Sequence, residues 1–260
     1  MAIGNFDGVH LGHRALLKRA VENAHIRREI AAVLTFHPHP KRILKLPNAP
    51  QLIYPIHHRC YLLRKSGCDA VCVQPFDEAF AALAPEAFFD HLLRQFPTLT
   101  AVYVGEDYRF GSCCAGNIHT LEELCRRHEI EFHVCPNLKN NGEKISSTRI
   151  RKALREGSID VANHLLGESY HCIGWVQKHP NKGCSSLTRA IDHAGDGSEN
   201  LFFHTHNELA PKDGSYFCTL RNKYVQQTVD VRLEDGQIQF LSPIPPFLRR
   251  GGVLSFEKKL

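Results

Sequence analysis

The first two thirds of the chain alternate between short apolar segments and longer segments with helical periodicity. This alternation predicts a parallel, doubly wound sheet that binds ligands at the carboxyl ends of its strands. We expect Thr120 to cap one helix, with Glu123 three residues later completing a capping box. The predicted strands are Met1–Ile3, Ile30–Phe36, Ala70–Val73, Ala101–Gly105 and Ile130–Val134. The predicted helices are Leu11–Glu29, His57–Ser66, Pro85–Gln95, Thr120–His128 and Ser147–Glu156.

Helical periodicity disappears near Gly167. From Tyr170 onward, strand-like segments such as SYHCIGWV, NLFFHTH and YVQQTVDVRL are separated by Gly, Asn, Asp and Pro. This pattern is typical of a small barrel or sandwich. We therefore predict an α/β domain at residues 1–167, followed by a small all-β, barrel-like domain at residues 168–260.

Composition excludes several classes of protein. Hydrophobic residues make up 43% of the chain and charged residues 23%, which is typical of a soluble globular protein. No apolar run approaches the roughly 20 residues needed to cross a bilayer, so we expect no membrane association. The net charge of +5 comes from scattered basic residues, so we expect no nucleic-acid partner.

Cysteine and histidine usage predicts no metal site in the protein. None of the ten cysteines forms a CxxC pair, and we interpret them as reduced thiols of a cytoplasmic protein. The segments HPHP (His37–Pro40) and HTH (His204–His206) lack carboxylate or cysteine partners at metal-ligand spacing.

The stretch GNFDGVHLGH (Gly4–His13) forms the first predicted strand-to-helix turn. Such a turn presents unpaired amides and the positive end of the helix dipole, which favour an anion. Its glycines would let a phosphate approach the backbone, and His10 and His13 would converge on that phosphate. The alternative is a solvated turn with two surface histidines.

The stretch KISSTRIRKAL (Lys144–Leu154) carries a second anion-binding pattern. Hydroxyl residues at a helix start commonly act only as caps. Arg149 and Arg151 in the first turns oppose the helix dipole, which is unfavourable unless an anion lies there. Arginine is also suited to bidentate phosphate contacts.

These two motifs are the pair found in the nucleotidyltransferase superfamily, HxGH and a Ser/Thr-rich helix start. Two further motifs, TFHPHP (Thr35–Pro40) and GEDYRFG (Gly105–Gly111), lie between them. Together, over residues 1–166, they resemble the adenylyltransferase module of the bacterial bifunctional riboflavin kinase/FMN adenylyltransferase family, the FAD synthetases. Members of that family usually carry more residues before the first turn, so we expect a missing leader or a truncated start.

The resemblance implies transfer of AMP from ATP to FMN, giving FAD and pyrophosphate, with Mg²⁺ held by the ATP phosphates. It also implies roles for individual residues, while Tyr108 and Phe110 are as well explained by core packing. The implied catalytic residues are His10, His13 and Arg149. The residues implied to bind ATP or phosphate are Asn5, Phe6, Asp7, Gly8, Gly12, Ser146, Ser147, Thr148 and Arg151. The residues implied to bind flavin or nucleotide are Phe36, Pro38, Asp107 and Arg109.

The second domain departs from the family pattern. The family's kinase domain carries a glycine-rich stretch ending in Gly-Phe-Pro-Thr-Ala-Asn, whose threonine and asparagine hold Mg²⁺ and phosphates. The corresponding region here, His179–Gly195, contains no Pro-Thr-x-Asn. The family's C-terminal helix is not recognisable in the ending SFEKKL, although LAPKDGSYFCTL (Leu209–Leu220) resembles the strands after the motif. We therefore predict a degenerate kinase-like domain.

Alternatives remain open at this point. The kinase site could be rebuilt from unfamiliar residues, or the β domain could serve only interaction or oligomerisation through an exposed strand edge. Nucleotidyltransferases acting on other substrates share the first motif but not GEDYRFG together with a β domain. A regulator that only binds flavin would leave both phosphate motifs unexplained. The residues considered for a rebuilt kinase site are Asn181, Ser185, Ser186 and Thr188.

Overall fold

The structure is a computed structural model that describes residues 1–45, 49–178, 201–248 and 251–260. It contains two compact units, Met1–Ser147 and Thr148–Leu260. The units divide at the start of a helix, whereas the predicted domain boundary lies at residues 167/168, which stays a prediction. His179–Gly195, the region on which the kinase loss was predicted, lies outside the described residues, as do all four residues of the rebuilt-site alternative.

The first unit is built on a five-stranded parallel sheet in the order β3-β2-β1-β4-β5. β1 lies at the centre, where the strand order reverses, so its carboxyl end opens onto the crevice typical of doubly wound folds. The strands are β1 (Ala2–Ile3), β2 (Ala32–His37), β3 (Ala70–Pro75), β4 (Ala101–Gly105) and β5 (Glu131–Cys135), followed by a hairpin of β6 (Lys139–Asn140) and β7 (Glu143–Lys144). The helices are α1 (Leu11–Ile26), α2 (Pro40–Ile43), α3 (Ile56–Lys65), α4 (Glu78–Ala81), α5 (Pro85–Gln95), α6 (Ile118–Arg127) and α7 (Ser147–Glu156), whose later residues belong to the second unit.

Two predicted helix ends were wrong for local reasons. α6 begins at Ile118, because the Asn117 side chain accepts hydrogen bonds from the amides of His119 and Thr120 at 2.9 and 3.2 Å. Thr120 is thus the third residue of the helix and completes a capping box by accepting from the Asn117 amide. α1 ends at Ile26 instead of Glu29, because Arg28 takes a left-handed conformation with φ 59°.

The second unit contains a closed, six-stranded antiparallel barrel in the order β10-β11-β12-β9-β8-β13, which confirms the predicted fold class of an α/β domain followed by a β barrel. Buried residues alternate along the strands, as Tyr216, Cys218 and Leu220 do in β10. The unit's elements are α8 (Ile159–Leu166), β8 (Tyr170–Lys178), β9 (Leu201–Thr205), β10 (Gly214–Arg221), β11 (Gln226–Glu234), β12 (Gln237–Phe240) and β13 (Gly252–Lys259).

The last strand, β13, was not predicted from the sequence. It contains most of the ending SFEKKL and pairs with both β8 and β10, which closes the barrel. Closure leaves the described barrel strands without an open edge, so the edge argument for oligomerisation loses its basis. Among the described helices, none combines the length and apolar character needed to span a membrane.

Glycine at position 174 is required by the closeness of two barrel strands. Gly174 in β8 pairs with Thr205 of β9, and a Cβ atom there would overlap the His204 carbonyl. We predict that Gly174→Ala lowers the free energy of unfolding by about 2–3 kcal/mol, because backbone cannot move aside as a flexible side chain does. Chemical denaturation measures this loss. The control Gly105→Ala, where a Cβ meets nothing within 4 Å, should change stability little, and equal losses would contradict the steric explanation.

Candidate active site

The turn after β1 has an unusual backbone conformation. Phe6, Gly8 and Val9 have φ values of 49°, 84° and 40°. A left-handed conformation is uncommon for residues other than glycine and costs most for a β-branched residue such as Val9. Contacts from the surrounding chain must therefore hold this turn in place.

The Asp7 carboxylate is one of the groups that hold the turn. Asp7 is buried and accepts hydrogen bonds from the amides of Ile53 at 3.1 Å and Tyr54 at 3.4 Å, just before α3. On the other side of the turn, Arg14 donates from Nε to the Val9 carbonyl at 2.9 Å. The predicted turn residue Asp7 thus contacts the protein itself and helps to shape the loop.

The Asn5 carbonyl accepts two further hydrogen bonds. The Thr35 hydroxyl donates to it at 3.0 Å, and Nη1 of the Arg59 guanidinium donates to it at 2.7 Å. Both donors are fully buried side chains. Neither Thr35 nor Arg59 was singled out individually from the sequence as binding this turn.

His10 and His13 lie together at the start of α1. His10 is the N-cap residue, and its Nδ1 accepts a hydrogen bond from the His13 amide at 3.3 Å. The two rings stack with centroids 3.6 Å apart, and Phe6 contacts His13 edge-on. Because Nδ1 of His10 is an acceptor, a proton on this ring must lie on Nε2, which is then a donor.

His13 is held in its neutral form. Burial lowers the pKa of His13 well below its ordinary value, and the charges of His10, Arg59 and Lys144 lower it further. Its Nδ1 is buried and has no hydrogen-bond partner among the described residues.

Gly12 leaves room for this pair of rings. A Cβ atom at position 12 would lie 3.3 Å from Nδ1 and Cε1 of the His10 ring and 3.7 Å from the Ile145 carbonyl oxygen. Any side chain at position 12 would therefore press against the ring of the cap residue, His10.

The second motif begins beside the same turn. Ser147 is the first residue of α7, and its hydroxyl donates to the Asp7 carbonyl at 2.8 Å. The structure thus brings Ser147 to the HxGH turn, and Ser146 directly precedes it. Thr148, Arg149 and Arg151 follow on α7 within the second unit, where Thr148 is exposed and Arg151 is buried. Their roles toward ATP remain predictions.

The GEDYRFG motif divides between surface and core. Asp107 is exposed and forms an ion pair with Lys144, and the Asn137 amide donates to it at 2.8 Å. Arg109 is exposed. Phe110 belongs to the core of the first unit, whereas Tyr108 is partly buried, stacks on Phe110 and packs against that core; burial raises the pKa of the Tyr108 hydroxyl.

Phe36 and Pro38, predicted to line the flavin pocket, differ in environment. Phe36 is buried and its ring contacts Phe76 and Phe80, whereas Pro38 is exposed and follows a cis peptide bond. Their contact with flavin remains a prediction. Among the described residues, no group of three or more His, Cys, Asp or Glu side chains is arranged to hold a metal ion.

Comparison with known proteins identifies the family. The family model of FAD synthetase matches residues 1–149. This chain belongs to the FAD synthetase family. It is accordingly a nucleotidyltransferase of that family.

Relatives of this FAD synthetase family member extend the match. The "Bifunctional riboflavin kinase/FMN adenylyltransferase" of Haemophilus influenzae is 31% identical over 238 residues, covering 92% of this chain and 70% of that protein. The Bacillus subtilis protein of the same name is 34% identical over 184 residues, which cover 70% of this chain and 58% of the Bacillus subtilis protein. The structure titled "Macrolide-efflux Protein" from Streptococcus pneumoniae aligns with the whole of this chain and with 84% of the Streptococcus pneumoniae chain. The TM-score is 0.82 and the sequence identity is 22%, so the two proteins share a fold.

The buried, neutral state of His13 predicts a dependence of stability on pH. His13 is protonated more readily in the unfolded chain, near pH 6.5, than in the folded enzyme, so acid favours unfolding. Stability should therefore fall as the pH drops below about 6.5. We predict that His13→Gln loses less stability than the parent between pH 7 and pH 5, by on the order of 1 kcal/mol.

Urea denaturation at a series of pH values measures this difference. His119→Gln, which removes an exposed histidine of the same unit, is the matched control and should follow the parent curve. Parallel curves for the parent and His13→Gln would contradict the prediction.

Proposed function

We propose that this chain is an FMN adenylyltransferase, which transfers AMP from ATP to FMN. The observation that carries the proposal is the hydrogen bond from the Ser147 hydroxyl to the Asp7 carbonyl, which brings the first helical residue of the second motif to the HxGH turn. Family membership supports the choice of ATP and FMN, because the relatives are named for this reaction.

In the proposed reaction, a phosphate oxygen of FMN attacks the α-phosphorus of ATP. A new P–O bond forms, the bond to the β-phosphate oxygen breaks, and pyrophosphate leaves with the electron pair. Catalysis of this kind requires alignment of the reactants and stabilisation of charge on the phosphates. The amides at the start of α1 and the Nε2–H of His10 supply suitable donors.

The cap bond of His10 suits this reaction, because it leaves the proton of the neutral ring on Nε2. A ring that is already an oriented donor needs no proton uptake before it stabilises a phosphate oxygen. Arg149 and Arg151 are proposed as further phosphate contacts, supported by their place in the family motif. Mg²⁺ would enter with the ATP phosphates and neutralise part of their charge.

Cap formation and catalysis by His10 can be separated by mutation. His10→Ala removes both the cap and the donor, so we predict a 10²–10³-fold loss of kcat and about 1 kcal/mol of stability. Asparagine is a good cap residue, so His10→Asn should keep the stability and lose the activity. FAD formation by chromatography and thermal unfolding measure the two effects. Parent-like activity in the folded asparagine variant would refute the catalytic role.

The proposal further holds that the barrel carries no riboflavin kinase activity. The sequence supports this through the missing Pro-Thr-x-Asn in His179–Gly195. With a silent kinase, the chain would depend on FMN made elsewhere. We also propose a cytoplasmic location, which the nine described cysteines, all free thiols, support.

One observation favours a second candidate function, a retained kinase. Thr205 and Asn207 occur at the end of β9 with the Thr-x-Asn spacing that the family motif carries, and His204 stands where that motif has proline. The Thr205 hydroxyl donates to the Ile173 carbonyl at 3.2 Å, and the Asn207 amide donates to the His171 carbonyl at 3.0 Å. These bonds tie β9 to β8, so phosphate binding would have to compete with them.

Product analysis distinguishes the two candidates. We predict that the protein with ATP and Mg²⁺ makes FAD from FMN, but neither FMN nor FAD from riboflavin. If riboflavin is consumed, the kinase is retained, and Thr205→Val should abolish that step while FAD formation from FMN continues. No FAD from FMN would refute the proposed function.

A further inference from the structure

Among the described residues, Arg59 is the largest of the fully buried side chains. It does not belong to the HxGH motif. It lies on α3 with no exposed surface. Nη1 donates to the Asn5 carbonyl at 2.7 Å, and Nη2 donates to the Phe36 carbonyl at 3.0 Å. A single planar group thus connects the turn after β1 with β2.

The two carbonyls lie where the central strands separate. β1 and β2 pair through Ile3 and Leu34, and the last bond between them runs from the Gly4 amide to the Leu34 carbonyl at 3.1 Å. β1 has ended at Ile3, and the chain turns at Phe6, where φ is 49°. Beyond that point, Arg59 takes over the linking role of the backbone ladder, with the Thr35 hydroxyl as a second donor to Asn5.

We infer that Arg59 is a positioning residue for adenylyl transfer: it holds the phosphate-binding turn and the end of β2 at one fixed spacing. This inference rests on the proposed function, because Asn5 belongs to the turn predicted to bind ATP and Phe36 to the segment predicted to bind flavin. Arg59 therefore sets the distance between the two substrates without contacting either.

The chemistry of arginine fits this role. Its rigid, planar fork points two donors at two acceptors with a set separation, whereas the lysine ammonium is a single point charge. Burying a charge is unfavourable, and apolar packing would stabilise the fold without that cost. What the guanidinium adds is directional control of two backbone carbonyls.

The inference predicts a separation of binding from turnover. Each substrate would still find its own contacts without Arg59, but the FMN phosphate and the α-phosphorus would no longer be aligned. Misplacement by about 1 Å can reduce a rate on the order of 10²-fold. Loss of Arg59 should therefore lower kcat far more than it changes the separate affinities for ATP and FMN.

The test compares Arg59→Met with Arg64→Met in the full chain. Arg64 lies on the same helix but is exposed, so its replacement removes the same charge without touching the carbonyls. We expect kcat for FAD formation about 10²-fold lower in Arg59→Met, with Kd values for ATP and for FMN within about threefold of the parent. Arg64→Met should match the parent. A kcat for folded Arg59→Met within threefold of the parent would overturn the inference.

A second variant covers the case in which Arg59→Met does not fold. Arg59→Lys keeps the charge and most of the length, and it should be folded with kcat about tenfold below the parent, since one ammonium cannot reproduce both bonds. Parent-like kcat in Arg59→Lys would also overturn the inference. If the parent makes FAD and the variants equal it, only the inference fails; if the parent makes no FAD from FMN, the proposed function fails and the inference fails with it.

Discussion

The strained turn after β1 depends on a buried carboxylate and a buried guanidinium. Phe6 and Val9 adopt conformations that an isolated peptide would rarely populate. Asp7 anchors the turn through the amides of Ile53 and Tyr54, while Arg59 anchors it through the Asn5 carbonyl. Burial lowers the pKa of Arg59, and the nearby charge of Asp7 acts in the opposite direction and favours the charged guanidinium.

The arrangement of the histidines follows from that turn. With the turn held, His10 is positioned to cap α1, and its ring stacks on His13. Burial lowers the pKa of His13, and the cap bond leaves Nε2 as the donor of His10. One short segment therefore brings the start of α1 and two imidazole rings together, which fits the polyphosphate binding proposed for this turn.

The barrel carries a different kind of constraint. Its closure depends on close approach of strands at Gly174 and on pairing of β13 with β8 and β10. α8 belongs to the same unit, because Asn163 hydrogen-bonds to the Phe256 carbonyl and to the Tyr170 amide. Thr205 and Asn207 lie within this framework, so any phosphate chemistry there depends on the bonds that hold β9 to β8.

The sequence by itself determined the alternation of strands and helices, the all-β second part and the two phosphate motifs, because these depend on local periodicity and turn chemistry. Pro85–Gln95, Ala101–Gly105 and Ser147–Glu156 agree with their predicted bounds. The start of α6 at the Asn117 cap and the end of α1 before the left-handed Arg28 also depend on local structure. A single residue that is compatible with more than one local conformation decided each of these helix ends.

Only the tertiary structure decided what holds the site. Arg59, Thr35 and the amides of Ile53 and Tyr54 lie far along the chain from Asn5 and Asp7, and no spacing in the sequence indicates that they meet. The same is true of β13, which was not recognised as a strand from the sequence and is defined by its pairing with β8 and β10. Long-range contacts of this kind arise when separate elements bury their apolar faces together, and a sequence pattern records each element but not its neighbour.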